Sequence, residues 1–216
     1  MLAIRRRSIQ SSAQFQPRPD LHVSLETNPM VMSYIQQRPI ADMQQRFDDG
    51  HRAYVAWRNG QAAAWGWIAT RGATIGELDT TLLLPSAWRY LWNFVTAPAH
   101  RGLGIYPHLL GEILEREHDA STFLIAYAPE NHASAKGIFK AGFEPYAELS
   151  FDGAGKPAFR PMQAGAAAFA SALSLPVVDS PLTPCWRCVR AGRGAMGCSA
   201  DTCRCDYQKQ EQSCAA

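Results

Sequence analysis

The stretch WRYLWNFVTAPAHRGLGIYPHLL, residues 88–110, decides how this 216-residue chain is to be read. Trp88, Tyr90, Trp92 and Phe94 alternate with Arg89, Leu91, Asn93 and Val95, so the stretch opens as a strand; aromatic and β-branched residues suit a pleated surface. Pro98 has no N–H to give a ladder and ends it. Arg101-Gly102-Leu103-Gly104-Ile105-Tyr106 then makes a glycine-containing turn, and Leu109, Leu110, Ile113 and Leu114 follow at helical spacing. Strand, tight turn and helix start form an anion site. The first helical turn has unpaired N–H groups and the positive end of the dipole, and glycine lets a phosphate approach the backbone.

These residues resemble the acyl-CoA loop of the GNAT N-acetyltransferase superfamily, whose motif is Arg/Gln-x-x-Gly-x-Gly/Ala. Arg101 and Gly104 match it, while Tyr106 stands where a small residue is usual. A second half of the family pattern lies downstream. Residues 122–127, TFLIAY, read as a strand, and Asn131 to Glu144, NHASAKGIFKAGFE, resemble the family's asparagine, helix and Gly-Phe ending. The resemblance covers roughly residues 21–160. It implies an α/β fold: a GNAT-like mixed central sheet flanked by helices.

The rest of the chain agrees. Residues 21–25 alternate as a first strand, and residues 28–47 carry helical periodicity broken at Pro39, giving two short helices. Arg58-Asn59-Gly60 between two apolar runs predicts a hairpin over residues 53–68. Residues 75–84 read as a further strand, and residues 146–162 as a final hairpin around Asp152-Gly153-Ala154-Gly155. Four segments follow: a flexible basic tail (1–20), a GNAT-like domain (21–162), an Ala/Pro-rich linker (163–184) and a small cysteine-rich C-terminal module (185–216). Arg5, Arg6 and Arg7 with several Ser and Gln make the tail; a transit peptide is the alternative. A net charge of +2 is too small to argue for nucleic acid or a membrane, and no apolar run approaches a membrane span.

The resemblance implies transfer of an acetyl or other acyl group from CoA to an amine by direct attack, with acetyl-CoA as donor and a small-molecule or peptide amine as acceptor. The backbone of Gly102, Leu103, Gly104, Ile105 and Tyr106, with Arg101 adding charge, would hold the pyrophosphate. Val95 or a neighbour would give the backbone N–H that stabilises the thioester oxyanion. Asn131 would hydrogen-bond the pantetheine arm, cap its helix, or both. An amine with a pKa of ~10.4 arrives charged and needs a base. Glu77 and Asp79, two apart in the expected strand, are the candidates, Glu77 first; the plain alternative is solvated edge charges. His100 and His132 are weaker candidates. Phe139 stands where the family's thiolate-protonating tyrosine is usual, leaving Tyr127, Tyr146 or Tyr106 to substitute. That departure and the one at Tyr106 keep open a second class: an acyl-CoA-binding, regulatory protein of the same fold whose tail binds a partner.

All six cysteines fall in the tail, as Cys185-x2-Cys188-x9-Cys198-x4-Cys203-x-Cys205-x8-Cys214. A segment this short has no core of its own, so metal or disulfides would hold it. The density suits all-thiolate zinc, faintly like fungal two-zinc six-cysteine modules, with disulfides as the alternative. Arg187, Arg190 and Arg193 would suit an anionic protein or nucleic-acid partner. A CoA donor implies a cytoplasmic, intracellular setting, which favours metal over disulfide.

Overall fold

A computed structural model describes residues 1–7, 18–76, 80–152, 154, 156–172, 175–179 and 185–190. The strand expected from residue 88 is β7, Trp88–Thr96, and the helix after the glycine turn is α3, Ile105–Arg116. Between α3 and the next helix, α4 (His132–Lys140), runs β8, Thr122–Ala126. Ahead of them lie β1 (Leu2–Arg6), β2 (His22–Glu26), α1 (Pro29–Gln36), α2 (Ile40–Asp48), β3 (Arg52–Arg58) and β4 (Gln61–Ala69). Asn59 and Gly60, both at positive φ, turn β3 into β4 as the Asn-Gly signal requires. β9 (Glu144–Phe151) and β10 (Pro157–Pro161) form the last hairpin.

These strands build one eight-stranded sheet in the order β10-β9-β1-β8-β7-β4-β3-β2, in which β7 and β8 alone pair in parallel. The period-two alternation of β7 decides which face each residue serves. Leu91 joins Ile105, Leu109, Ile113 and Ile138 under α3 and α4. Tyr90 joins Leu124, Ile75, Leu82 and Phe169 on the other face. Beside that second cluster, α1 and α2 set Met32 and Met43 against Val55 and Trp67.

Three expectations are corrected. The segment 1–20 is not all tail: Leu2–Arg6 is strand β1, hydrogen-bonded between β8 and β9 in the sheet interior. Leu2, Ala3 and Ile4 are buried, and the arginines that read as a basic tail bind carbonyls, Arg5 Nη1 donating to Gly142 O at 3.0 Å and Arg7 Nη2 to Glu117 O at 3.1 Å. The strand read over residues 75–84 is two, β5 (Gly72–Ile75) and β6 (Thr80–Leu83), paired as a separate hairpin. The linker is partly structured: α5 spans Ala166–Ala172, and Val177 bridges Phe159 of β10.

Candidate active site

β7 and β8 pair from Trp88↔Thr122 to Leu91↔Ile125 and no further, although β7 continues to Thr96. Beyond that point β8 stays with β1, through Leu2↔Ala126, and a wedge opens between β7 and β8. The cause is a β-bulge in β7. Trp67 pairs with Trp92 and Trp65 with Val95, so Asn93 and Phe94 together oppose Gly66 alone. Asn93 takes the left-handed conformation at φ 53°. The Phe94 ring lies on the Gly66 backbone, where a Cβ would come within 2.2 Å of it. Val95 lies past the bulge, 37% exposed, on the stretch of β7 that β8 has left.

The same strand leads into the anion cradle. A 3-10 turn, Pro98–His100, precedes Arg101, and Gly102 and Gly104 sit at φ 76° and 70°. Gly104 is the N-cap of α3, with no side-chain cap and no acid in the first turn. Pro107 has no N–H, and the His108 N–H returns to Gly104 O at 3.4 Å, so the helix's own bonds leave the amides ahead of them for a ligand. Arg18 fastens the loop, donating to Leu103 O at 2.7 Å, and is itself paired with Asp20 at 2.8 Å. Arg101 is exposed, with Nε 3.4 Å from Thr96 O. Ile105 is buried beneath, anchoring the turn.

Tyr106 does not crowd the cradle. Its ring lies on Gly137 of α4, where a Cβ would approach to 2.5 Å, and 5.7 Å from the Phe94 ring. A large residue on α3 is matched by glycine on the facing helix. Burial pushes the Tyr106 phenol up to about 12. Asn131 is the N-cap of α4, its Oδ1 accepting from the Ser134 N–H at 3.0 Å. Phe139 meets Tyr127 edge-on at 5.8 Å, and burial raises the Tyr127 phenol above its ordinary value.

Glu77 and Asp79 lie between β5 and β6, outside the described residues. His100 sits in the 3-10 turn and His132 opens α4. On the α1–α2 face, Gln36, Arg46, His51 and Trp92 gather beside the bulge, and the sequence reading had not singled out Gln36, Arg46 or His51. Their signal was weak, since polar residues on short helices are ordinarily solvated.

The acetyltransferase (GNAT) family profile matches residues 20–143, more than half of the chain. The chain belongs to this GNAT family. Among solved structures, an acetyltransferase of the GNAT family from Colwellia psychrerythraea is 14% identical over 66% of this chain and 52% of its own, with TM-score 0.45. This chain therefore spans about half that protein's length. AAC(6')-Iy in complex with a bisubstrate analogue, CoA-S-monomethyl-acetylneamine, is 15% identical over 61% of this chain and 96% of its own, with TM-score 0.49. A Bacillus subtilis acetyltransferase in complex with CoA is 15% identical over 61% of this chain and 82% of its own, with TM-score 0.45. At identities and TM-scores this low these likenesses carry no argument, and the family match alone carries the assignment. Among curated proteins none matches the sequence.

The GNAT domain also receives the start of the cysteine segment. Helix α6, Trp186–Arg190, packs Cys185, Trp186 and Cys188 into the protein interior. The Glu130 carboxylate caps its start, accepting from the Trp186 N–H at 3.2 Å and the Arg187 N–H at 3.0 Å. This segment is therefore not a wholly separate module. Cys198, Cys203, Cys205 and Cys214 lie outside the described residues, and among those described no three His, Cys, Asp or Glu side chains gather as a metal site. No helix among the described residues is long and apolar enough to cross a membrane.

Proposed function

We propose that the protein moves an acyl group, acetyl the simplest, from acyl-CoA to the amine of a small molecule or peptide by direct attack. The observation that carries this reading is that cradle and wedge adjoin on one strand, β7, so that a phosphate-bearing ligand held at Gly102–Tyr106 can lay its arm into the opening. The amides of residues 102–106 and the Arg101 guanidinium bind the pyrophosphate. Asn131 keeps Oδ1 on its cap and offers Nδ2 to the arm. A backbone N–H at or near Val95 receives the oxyanion that develops on the thioester carbonyl.

Two protons must be handled. The amine loses one to become a nucleophile and a second as the C–N bond forms and the C–S bond breaks; one proton goes to the departing thiolate. Glu77, with Asp79 second, is the base we assign, acting directly or through water. Tyr127 is the acid, since it lies against Phe139, which fills the usual place of that group. A thiol pKa of ~8.5 keeps the thiolate a tolerable leaving group, so the substitution need not abolish turnover. The second reading, an acyl-CoA-binding protein with little catalysis, is favoured by Phe139 alone. For the cysteine tail, spacing supports an all-thiolate zinc site, which metal content measured without chelator reads, and Arg187, Arg190 and Arg193 suit an anionic protein or nucleic-acid partner.

The test combines thermal shift with acetyl-CoA and CoA release over an amine panel. Stabilisation should rise with the logarithm of acetyl-CoA concentration. Gly104→Val should abolish it, because a β-branched residue at φ 70° costs about 1–2 kcal/mol and fills the approach. Amine-dependent CoA release supports transfer; stabilisation without release supports the binder; no stabilisation sinks both.

A further inference from the structure

On the α1–α2 face, beside the bulge, a guanidinium is held with no ion pair among the described residues. Arg46 of α2 lies over two indole rings, 4.7 Å from the centroid of Trp92 and 5.0 Å from that of Trp67. It is half-buried. Its one hydrogen bond is from Nη1 to Gln36 Oε1, at 3.3 Å, and among the described residues it has no ion pair within bonding distance. Arg52, Arg89 and Arg160, comparably buried or more so, all meet carboxylates. A guanidinium has five N–H donors, and stacking on aromatic faces leaves its edge for a planar acceptor.

The surroundings repeat the pattern. Trp67 is 0% exposed, yet its Nε1 has no acceptor among the described residues, and neither has Trp92 Nε1. His51, edge-on to Trp92 at 5.1 Å, donates from Nε2 to Gly72 O at 3.2 Å, which leaves Nδ1 an acceptor with no partner among the described residues. Buried donors are nearly always satisfied, and an orphan costs about 1–3 kcal/mol. The guanidinium edge and two indole N–H groups thus lie on this face, and Gln36 Oε1 is the side-chain acceptor bonded to Arg46 among the described residues. That same oxygen accepts from Asn93 Nδ2 at 3.3 Å, and Asn93 is the bulge residue. The unpaired charge is thus one shared oxygen away from the wedge where transfer would occur.

We propose that this face is an anion subsite and that Arg46 receives a carboxylate of the acceptor, which is then a small amino acid or similar molecule with amine and carboxylate a few bonds apart. Calling the ligand an acceptor rests on the acyltransferase reading; the anion subsite does not. A carboxylate supplies the acceptor oxygens this cluster lacks, and the planar fork of Arg46 binds it through two parallel hydrogen bonds. Burial lowers the Arg46 pKa from its usual value, the direction expected of a charge taken from water before its partner arrives.

The test follows the indole N–H signals of the six tryptophans by nitrogen-15 NMR in the full chain with CoA present. N-acetylglycine and N-acetylglycinamide are titrated as matched probes. The carboxylate should shift Trp67 and Trp92 saturably and bind at least about tenfold tighter than the amide, a difference of ~1.4 kcal/mol. Arg46→Met should erase the difference, and Arg46→Lys, which keeps charge but not the fork, should retain part of it. Equal binding of the two probes, or a preference that survives Arg46→Met, overturns the subsite. Should Arg46→Met fail to fold, Arg46→Lys and the wild-type probe pair still decide. CoA release with glycine and with glycinamide is measured beside it. Indole shifts with no CoA release keep the anion subsite and sink the acyltransferase reading; CoA release without carboxylate preference does the reverse.

Discussion

β7 has two ends built on opposite principles. At its amino end, Trp88 to Leu91 pair with β8, Tyr90 and Leu91 pair with β4 as well, and Arg89 is buried in an ionic cluster. Glu117, at the end of α3, accepts from Arg89 Nε at 3.0 Å, Arg52 Nη1 at 2.6 Å and the Tyr54 hydroxyl at 2.8 Å, and Asp119 also binds Arg89. At its carboxyl end, the bulge at Asn93 and Phe94 turns the strand away from β8 and leaves backbone for a ligand. One end is satisfied internally and holds the sheet; the other is left incomplete and can work. An opening in a sheet needs a closed region beside it, because unpaired strands separate unless neighbouring contacts over-determine them.

The comparison can be broken at either end. The largest effect belongs to the closed end. Glu117→Ala removes the shared acceptor of two guanidiniums and a phenol, leaving Arg89 to Asp119, and should cost about 3–5 kcal/mol in denaturant unfolding. The loss should be the same with or without attention to the ligand site: acetyl-CoA should still stabilise whatever fraction folds. A fall in acetyl-CoA affinity without a fall in stability would mean that the two ends are not separate. Next comes β1, which keeps β8 from following β7. Ile4→Ala removes a buried side chain of β1, between β8 and β9, and should cost about 2–5 kcal/mol. If residues 1–7 can be altered with no change in the unfolding midpoint, β1 does not hold the wedge open.

Gly66→Ala acts at the open end. The added methyl must displace Phe94 and should cost about 1–3 kcal/mol. Its signature is a loss of CoA release larger than the stability loss explains, partly recovered by Phe94→Leu. Equal losses would make the bulge a packing feature only. The smallest effect is in alkali. Burial, followed by the bond to Glu117, raises the Tyr54 phenol above its ordinary 10.0. The folded protein therefore keeps a proton that the unfolded chain gives up. That contribution is fully present below pH 10.0 and is lost as pH rises toward the folded value. Tyr54→Phe should flatten this part of the stability profile; an unchanged slope would remove Tyr54 from the cluster's account.

Both motif halves were legible because their signals are local. Arg101 to Tyr106 and Asn131 to Glu144 carry their own turn and cap chemistry, and α3 and α4 begin where that chemistry put them. The Asn59-Gly60 hairpin and the break at Pro39 were legible for the same reason. β1 was not. Arg5, Arg6 and Arg7 read as solvated charge until Gly142 O and Glu117 O, more than a hundred residues away, are known to receive them. Glu117 escaped notice as one acid among several at a helix end. Arg46 did too, since nothing local says that two indoles lie beneath it.

The sequence alone determined the class of fold, the anion cradle and the family pattern, because glycine, proline and asparagine act on the backbone within a few residues of themselves. Only the tertiary structure decided where the sheet opens and what faces the opening. Gly66 and Phe94, Tyr106 and Gly137, and Arg46 with Trp67 and Trp92 are contacts between separate elements. Packing complementarity of that kind has no period and no spacing in the chain, so it becomes visible only when the elements meet.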